Sequence, residues 1–288
     1  MANTTGEINL RAENIDKIVK DIANMEFVMK ELCMVDSSSA WVETYYRETN
    51  TELTNANSPV KGVPRLANLP YAEASWTKLS SYIEKYGCEG VISYEDELLN
   101  NIPMIARTLL KISRAVAYAV DSQIFTALRD GAGNSVAIAV GYEWDNATTA
   151  NQNPIKDLLY AKKEIYKDNK NPDNGSTYLV VNPTDYANLL QNTKIINSPT
   201  FKQADIISNG NVGKICNLTI KVSNAVSASG ALVVIAKEGA TWKQATPLTT
   251  KTIEDPGIKK TIRAFELGVC QVVSPNAICK ITNTAVNV

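Results

Sequence analysis

The 288-residue sequence contains no histidine at all. Imidazole is therefore unavailable as a general base. Ser-His-Asp and Cys-His mechanisms are excluded, as is a 2-His-1-carboxylate iron site. No apolar run approaches the roughly 18 residues that a bilayer-spanning helix requires, so no membrane partner is expected. The opening MANTTGEINL has no basic stretch followed by an apolar one, and it does not read as a secretory signal. A soluble protein made in a cytoplasm is the expectation. Neither charge sign is in excess: 29 Lys and Arg face 30 Asp and Glu, for a net charge of −1. That balance argues against a dedicated nucleic-acid binder, whose phosphate contacts need clustered Lys and Arg. It does not exclude a protein that encloses nucleic acid. Closely spaced cysteine pairs are also missing. Cys33, Cys88, Cys216, Cys270 and Cys279 are scattered with no C-x-x-C, so no structural zinc site is expected. Buried reduced thiols are the reading. No metal, cofactor or catalytic residue is assigned.

What is present describes a folded chain. Apolar residues make up 44% and charged residues 20%, enough for a sizeable core in one large domain or two modest ones. Asparagine and threonine are abundant, at 28 and 24. The N-x-S/T sequons at Asn3, Asn146, Asn174 and Asn217 are chance matches at that frequency.

Between Arg11 and Leu32, Ile15, Ile18, Ile22, Met25, Met29 and Leu32 recur at steps of three and four, which predicts a helix with one apolar face. That face either meets the core or packs as an arm on a neighbouring subunit. From Trp41 to about Tyr82 two β-like runs, WVETYYRET and YAEASWTKLSSYIEKY, flank a polar segment rich in Asn and Pro. The pattern is an extended hairpin with little apolar surface of its own. Such a long projection is best stabilised by lying on another chain. Ser93 with Asp96 then forms a capping-box-like pair, and ISYEDELL makes a short turn. Asn101 and Pro103 open a second helix, along which Ile102, Ile105, Leu109, Ile112, Val116, Ala119, Phe125 and Leu128 hold helical spacing until Gly131. About 27 residues give a rod of roughly 40 Å. Asp130 to Asn134 reads as a turn.

The remainder reads as α/β. An amphipathic helix follows Asn153-Pro154 through about Lys167, with Ile155, Leu158, Leu159, Ile165 and Tyr166 inward. The strand TYLVV runs into an Asn182-Pro183 cap and a short helix through Leu190. Strands are expected at KICNLTIKVS, ALVVIA, IKKTIRAFE, GVCQVV and AICKIT, separated by turns such as Asn209-Gly210 and Ser229-Gly230.

Catalytic motifs are near misses. Gly213-Lys214 lacks the first glycine of a phosphate loop and has Ile215 where Ser or Thr binds magnesium. Ser75-Trp-Thr-Lys78 matches S-x-x-K, but on a strand and without companion motifs. Asp168 to Gly175 fails the calcium-loop pattern, because Lys170 stands at an oxygen-ligand position. Glu95, Asp96 and Glu97 suit a helix start. A carboxylate-only hydrolase remains the alternative from a different class.

The order of ISYEDELL, AVAYAVDSQIFTALRDGAGN, YLVVNPTDYANLL and IRAFELGVCQVVSPNAICKIT resembles the major capsid protein of tailed bacteriophages, the Hong Kong ninety-seven-like fold. The resemblance covers nearly the whole chain. It implies an α+β fold with an N-terminal arm (1–42), an extended β-hairpin loop (43–80), a peripheral domain with a long spine helix (81–150 and 246–267) and an α/β axial domain (151–245 and 268–288). It further implies self-assembly into hexamers and pentamers of an icosahedral virion shell, built in the host cytoplasm around DNA that is bound without sequence specificity. Portal, scaffold or decoration proteins would be further partners. Some relatives carry a cleaved scaffolding segment before the arm; Met1 favours a separate scaffold or none. Arg47, Lys61 and Arg65 are expected to meet acidic or carbonyl groups on an adjacent subunit. Some relatives join a loop lysine to an asparagine of another chain, and Lys61 and Lys78 lie in the corresponding region. An encapsulin-type nanocompartment shell shares the fold and is the closest alternative.

Overall fold

The computed structural model describes residues 17–21, 27–49, 63–68, 76–99, 102–196 and 214–286. Two mixed layers share one long helix. The first is a four-stranded sheet in the order β1-β10-β11-β4, from Met34–Ser37 (β1), Ala240–Asp255 (β10), Lys259–Val272 (β11) and Glu84–Ser93 (β4). The second is a six-stranded sheet in the order β5-β12-β9-β6-β8-β7. Its strands are Asn134–Ala137 (β5), Thr177–Val181 (β6), Lys214–Ile215 (β7), Leu218–Val222 (β8), Gly230–Ile235 (β9) and Ile278–Thr282 (β12). A separate ribbon pairs Val42–Glu48 (β2) with Trp76–Tyr82 (β3).

The short helix Tyr94–Leu98 (α1) leads into the 29-residue helix Ile102–Asp130 (α2). At α1 the Ser93 hydroxyl accepts from the Asp96 N–H at 3.1 Å and donates to the Asp96 carboxylate at 2.9 Å, so the expected cap forms. Asn101 lies outside the described residues. Leu109, Ile112, Val116, Val120, Ile124 and Leu128 are buried along one stripe of α2. That stripe packs on β4 and β11. Contact is close because Gly90 has no side chain: a Cβ there would stand 2.6 Å from Ile112 Cδ1.

Pro154–Lys167 (α3) covers one face of the six-stranded sheet, with Leu158, Ala161 and Ile165 packed among Leu179, Val181, Val233, Ile235 and Ile281. The alternate residues Val180, Leu232, Val234 and Ile278 join the cluster that contains the α2 stripe. Strands buried on both faces lose alternation, which is why β6 and β9 are continuous apolar runs. Asn182 caps Pro183–Gln191 (α4) by accepting from the Thr184 N–H at 3.0 Å. Thr193–Ile196 (α5) follows. Among the described residues no helix is long and apolar enough to cross a membrane.

Several expectations need correction. Residues 17–21 are helical, but 27 and 28 are not, and Met29–Leu32 is a 3₁₀ turn. A continuous helix to Leu32 is prevented because the Asp121 carboxylate accepts the Val28 and Met29 N–H groups. The Leu32 carbonyl also accepts from the Lys237 N–H at 2.7 Å and draws the chain toward β1. The 16-residue β10 was not foreseen: it is rich in Thr and broken by register shifts around Pro247. β11 runs unbroken through Gly268, where two shorter strands were expected. β4 continues well past Tyr86 despite Gly87 and Gly90. β5 replaces the end of a predicted turn, and it pairs in parallel with β12, so this segment sides with the six-stranded sheet and not with α2. Leu159 and Tyr166 of α3 point outward, at 50% and 44% exposure, because the sheet needs only a narrow stripe of the helix. Cys33, Cys270 and Cys279 are buried thiols, while Cys88 and Cys216 are half-buried on an edge strand and at a turn.

Candidate functional site: the extended hairpin and its mounting

In the β2–β3 ribbon, Val42 faces Tyr82, Tyr46 faces Lys78 and Glu48 faces Trp76. Alternation along a strand places Val42, Tyr46, Lys78, Trp76 and Tyr82 on one side. That side is open: Tyr82 is 69% exposed, Tyr46 57% and Trp76 49%, with Trp41 at 71% beside the root. A two-stranded ribbon with its aromatics in solvent has no core of its own.

A small polar set mounts the ribbon on the body. The Glu48 N–H donates to the Val273 carbonyl at 2.9 Å. The Glu48 carboxylate accepts from the Ser274 hydroxyl at 2.6 Å. Lys170 Nζ lies 3.3 Å from Glu48 and 2.8 Å from Glu238, so it bridges the ribbon to the body. Burial works against the Lys170 charge, but the two carboxylates outweigh it and raise its pKa above the usual lysine value. Gln271 Nε2 donates to the Ser81 hydroxyl at 2.6 Å.

The N-terminal segment is held by a buried polar cluster. Glu266 is fully buried, and its carboxylate accepts from Lys30 Nζ at 2.6 Å, Trp242 Nε1 at 3.1 Å and Gln244 Nε2 at 2.8 Å. The Lys30 ammonium also sits 3.9 Å from the Phe27 ring centroid. Trp242 fits because Gly268 has no Cβ, which would come within 2.4 Å of the indole. Sequence reading passed over Glu266. The signal was its parity: Ile262, Ala264 and Cys270 on the same side of β11 are all buried, so a carboxylate there needs partners.

The residues named from sequence are not gathered into one site. Arg47 Nε donates to the Val272 carbonyl at 3.3 Å, so this donor ties the loop-side end of the ribbon to its own body. Arg65 is exposed in a turn beside Leu66, whose φ is 65°. Lys61 lies outside the described residues. The acidic turn after α3 is spent on structure: Asp168 accepts from Asn134 Nδ2 at 2.8 Å, and Asp173 holds Lys162 and the Tyr166 hydroxyl. That pairing, led by Lys162, holds the Asp173 pKa down at about 2. Among the described residues no group of three or more Cys, Asp or Glu could hold a metal ion.

A mixed α+β body, a long helix packed against two sheets and a separate two-stranded ribbon together define a virus-shell fold. The capsid of cyanophage P-SCSP1u superposes with a TM-score of 0.67 at 15% identity, covering 89% of this chain and 88% of that one. The virus-like particle from Pyrococcus furiosus gives 0.63 at 13% identity, covering 93% and 98%. Mycobacterium phage Che8 gives 0.61 at 16% identity, covering 90% and 92%. The family model described as phage capsid protein matches residues 78–281. That is more than half of the sequence, and the chain belongs to this family, whose members are structural shell proteins. No curated protein matches it in sequence.

Proposed function

We propose that this chain is the major capsid protein of a tailed virus, and that many copies tile as hexamers and pentamers into an icosahedral head around the DNA genome. The observation that carries the reading is the ribbon, with three exposed aromatics on one face and a polar mounting on the body. Such a face gains its burial from a neighbouring copy. In this reading the four-stranded sheet with α2 is the peripheral domain, and the six-stranded sheet with α3 is the axial domain. Arg65 and Lys61 are the loop cations that reach the adjacent subunit, with Arg47 anchoring the loop beneath them. Negative-stain microscopy of the purified protein tests the proposal: closed icosahedral particles support it, and a uniform population of small monomers overturns it. The triple substitution Arg47→Ala, Lys61→Ala, Arg65→Ala is expected to reduce particle yield. Unchanged yield and particle melting would remove these residues from the contact.

The likeness to the Pyrococcus furiosus virus-like particle favours a second reading, a nanocompartment shell that encloses protein cargo. Genomic neighbours separate the two: portal and terminase genes mark a virus, and a ferritin-like or peroxidase gene marks a compartment.

A further inference from the structure

Apart from the ribbon, a second apolar surface lies at the end of the four-stranded layer where α1 meets the β10–β11 turn. Val91 pairs with Thr261, and Thr261 with Ile253. Directly paired residues share a face of the sheet. Their neighbours Ile92 and Ile262 are buried in the cluster that contains the α2 stripe, so Val91 and Ile253 stand on the side away from α2. The Tyr94 N–H donates to the Ile258 carbonyl at 3.0 Å, which sets α1 beside the turn. Leu98 and Leu99 follow at 70% and 78% exposure, and Ile258 is 66% exposed. Val91, Tyr94 and Ile253 are also exposed. None of these six side chains belongs to either core cluster. Large apolar residues gathered in solvent at one end of a layer mark an interaction surface.

The charges around this surface have both signs. Lys260 pairs with Glu254 at 2.8 Å, and Lys259 lies 3.9 Å from Asp255. Glu95 on α1 and Lys251 on β10 are exposed, and among the described residues neither has an ionic partner. They cannot serve each other within one chain. Lys251 pairs with Arg263, and Arg263 with Glu89. Lys251 therefore stands two strands, about 10 Å, across the sheet from β4, and α1 begins well beyond Glu89. An acid on one edge of the layer and a cation on the other complement each other only between copies set side by side.

We propose that this end of the four-stranded layer is a head-to-tail contact between copies of the chain, in which Tyr94, Glu95 and Leu98 on α1 of one copy meet Lys251 and Ile253 on β10 of the next. The proposal deepens the shell reading by naming a contact separate from the ribbon. Its anatomy is that of a protein interface: apolar side chains at the centre and a charge pair at the rim. A surface that meets its own copies needs both charge signs, and this one has them. An anionic bilayer would instead call for a cationic excess. A head-to-tail contact closes into a ring when its rotation allows, so one patch pair on each chain is enough to join several copies.

Two measurements test the contact. In the first, particles of the Glu95→Cys/Lys251→Cys chain are oxidised and run on a non-reducing denaturing gel. A ladder of disulfide-linked dimers and larger species is expected, with monomers only from either single substitution. Monomers only from well-formed particles of the double variant overturn the proposal and leave the shell reading standing. If the chain forms no particles, the shell reading fails by itself, and the same gel on the concentrated subunit decides the contact by the same outcomes. The second measurement reverses the charges. Lys251→Glu is expected to lower particle yield, or self-association of the subunit, by roughly tenfold. Glu95→Lys/Lys251→Glu is expected to restore it to within about twofold, with subunit melting unchanged in both variants. No loss in the single variant, or no recovery in the double one, overturns the proposal. So does a wild-type subunit that gives no self-association but binds zwitterionic lipid vesicles and loses that binding in Leu98→Ser/Leu99→Ser.

Discussion

The six-stranded sheet and the β2–β3 ribbon are both built from strands, yet they are held in opposite ways. β6 and β9 bury Leu179, Val180, Val181, Leu232, Val233 and Val234 to 1% exposure or less, between α3 on one side and the α2 cluster on the other. At about 25 cal/mol per Å² of apolar surface, such burial dominates folding, and it needs nothing outside the chain. The ribbon has the same backbone pairing but leaves Tyr46, Trp76 and Tyr82 in solvent, and it relies on Glu48, Ser81 and Arg47 for its attachment to the body. Backbone ladders alone do not make a stable unit; a covered apolar face does. The body is therefore finished within one chain, whereas the ribbon leaves an uncovered face that the proposed shell would cover with another copy.

Three experiments break or sharpen that contrast. The largest effect is expected at the node that ties the N-terminal segment to the body. Glu266→Ala leaves the Lys30 ammonium and two buried donors without an acceptor and should cost about 3–5 kcal/mol. Urea unfolding of the subunit measures it. A loss below about 1 kcal/mol would show that the cluster is solvated and not buried.

Next comes pH. Burial raises the Asp121 carboxyl from 3.8 to about 6, although the Val28 and Met29 N–H groups and Lys30 oppose the shift. Between those values the unfolded chain has released the proton that the folded chain still holds, so Asp121 makes stability fall as pH rises from about 4 to about 6. Asp173 runs the other way: its pKa of about 2 means that stability is lost as pH falls below about 4. Asp121→Asn should flatten the first slope and Asp173→Asn the second, read as urea midpoints across pH. Variant curves parallel to wild type would refute both assignments.

The smallest effect on the subunit is expected in the ribbon. Trp76→Ala/Tyr82→Ala removes exposed rings and should change subunit stability by no more than about 0.5 kcal/mol. Particle yield should nevertheless fall sharply. A stability loss of several kcal/mol, with assembly intact, would mean that the rings serve the chain's own core.

Much of the body was legible because its physics is local. The α2 stripe announced itself by spacing, and Asn182-Pro183 announced α4 by cap chemistry. Long-range partners hid the rest. β10 is a threonine-rich segment without clear alternation, and it is a strand because β1 and β11 flank part of it. β4 carries two glycines that weaken it as an isolated strand; they are there because Phe265 lies close to Gly87 and Ile112 close to Gly90. The predicted N-terminal helix does not run on to Leu32 for the same reason, since Asp121, 92 positions away from Met29, takes its N–H group. Arg47 read as a surface cation, and nothing near it in sequence points to Val272.

By itself the sequence determined the absence of imidazole chemistry, the long helix, the TYLVV and ALVVIA strands and the pairing of β2 with β3, because composition and periodicity act over a few residues. Only the tertiary structure decided which carboxylates are spent on structure, that Lys170 and Gln271 fasten the ribbon, and that Glu266 collects Lys30, Trp242 and Gln244 around it. Those outcomes depend on residues brought together from distant parts of the chain, and no local pattern records which of them will meet.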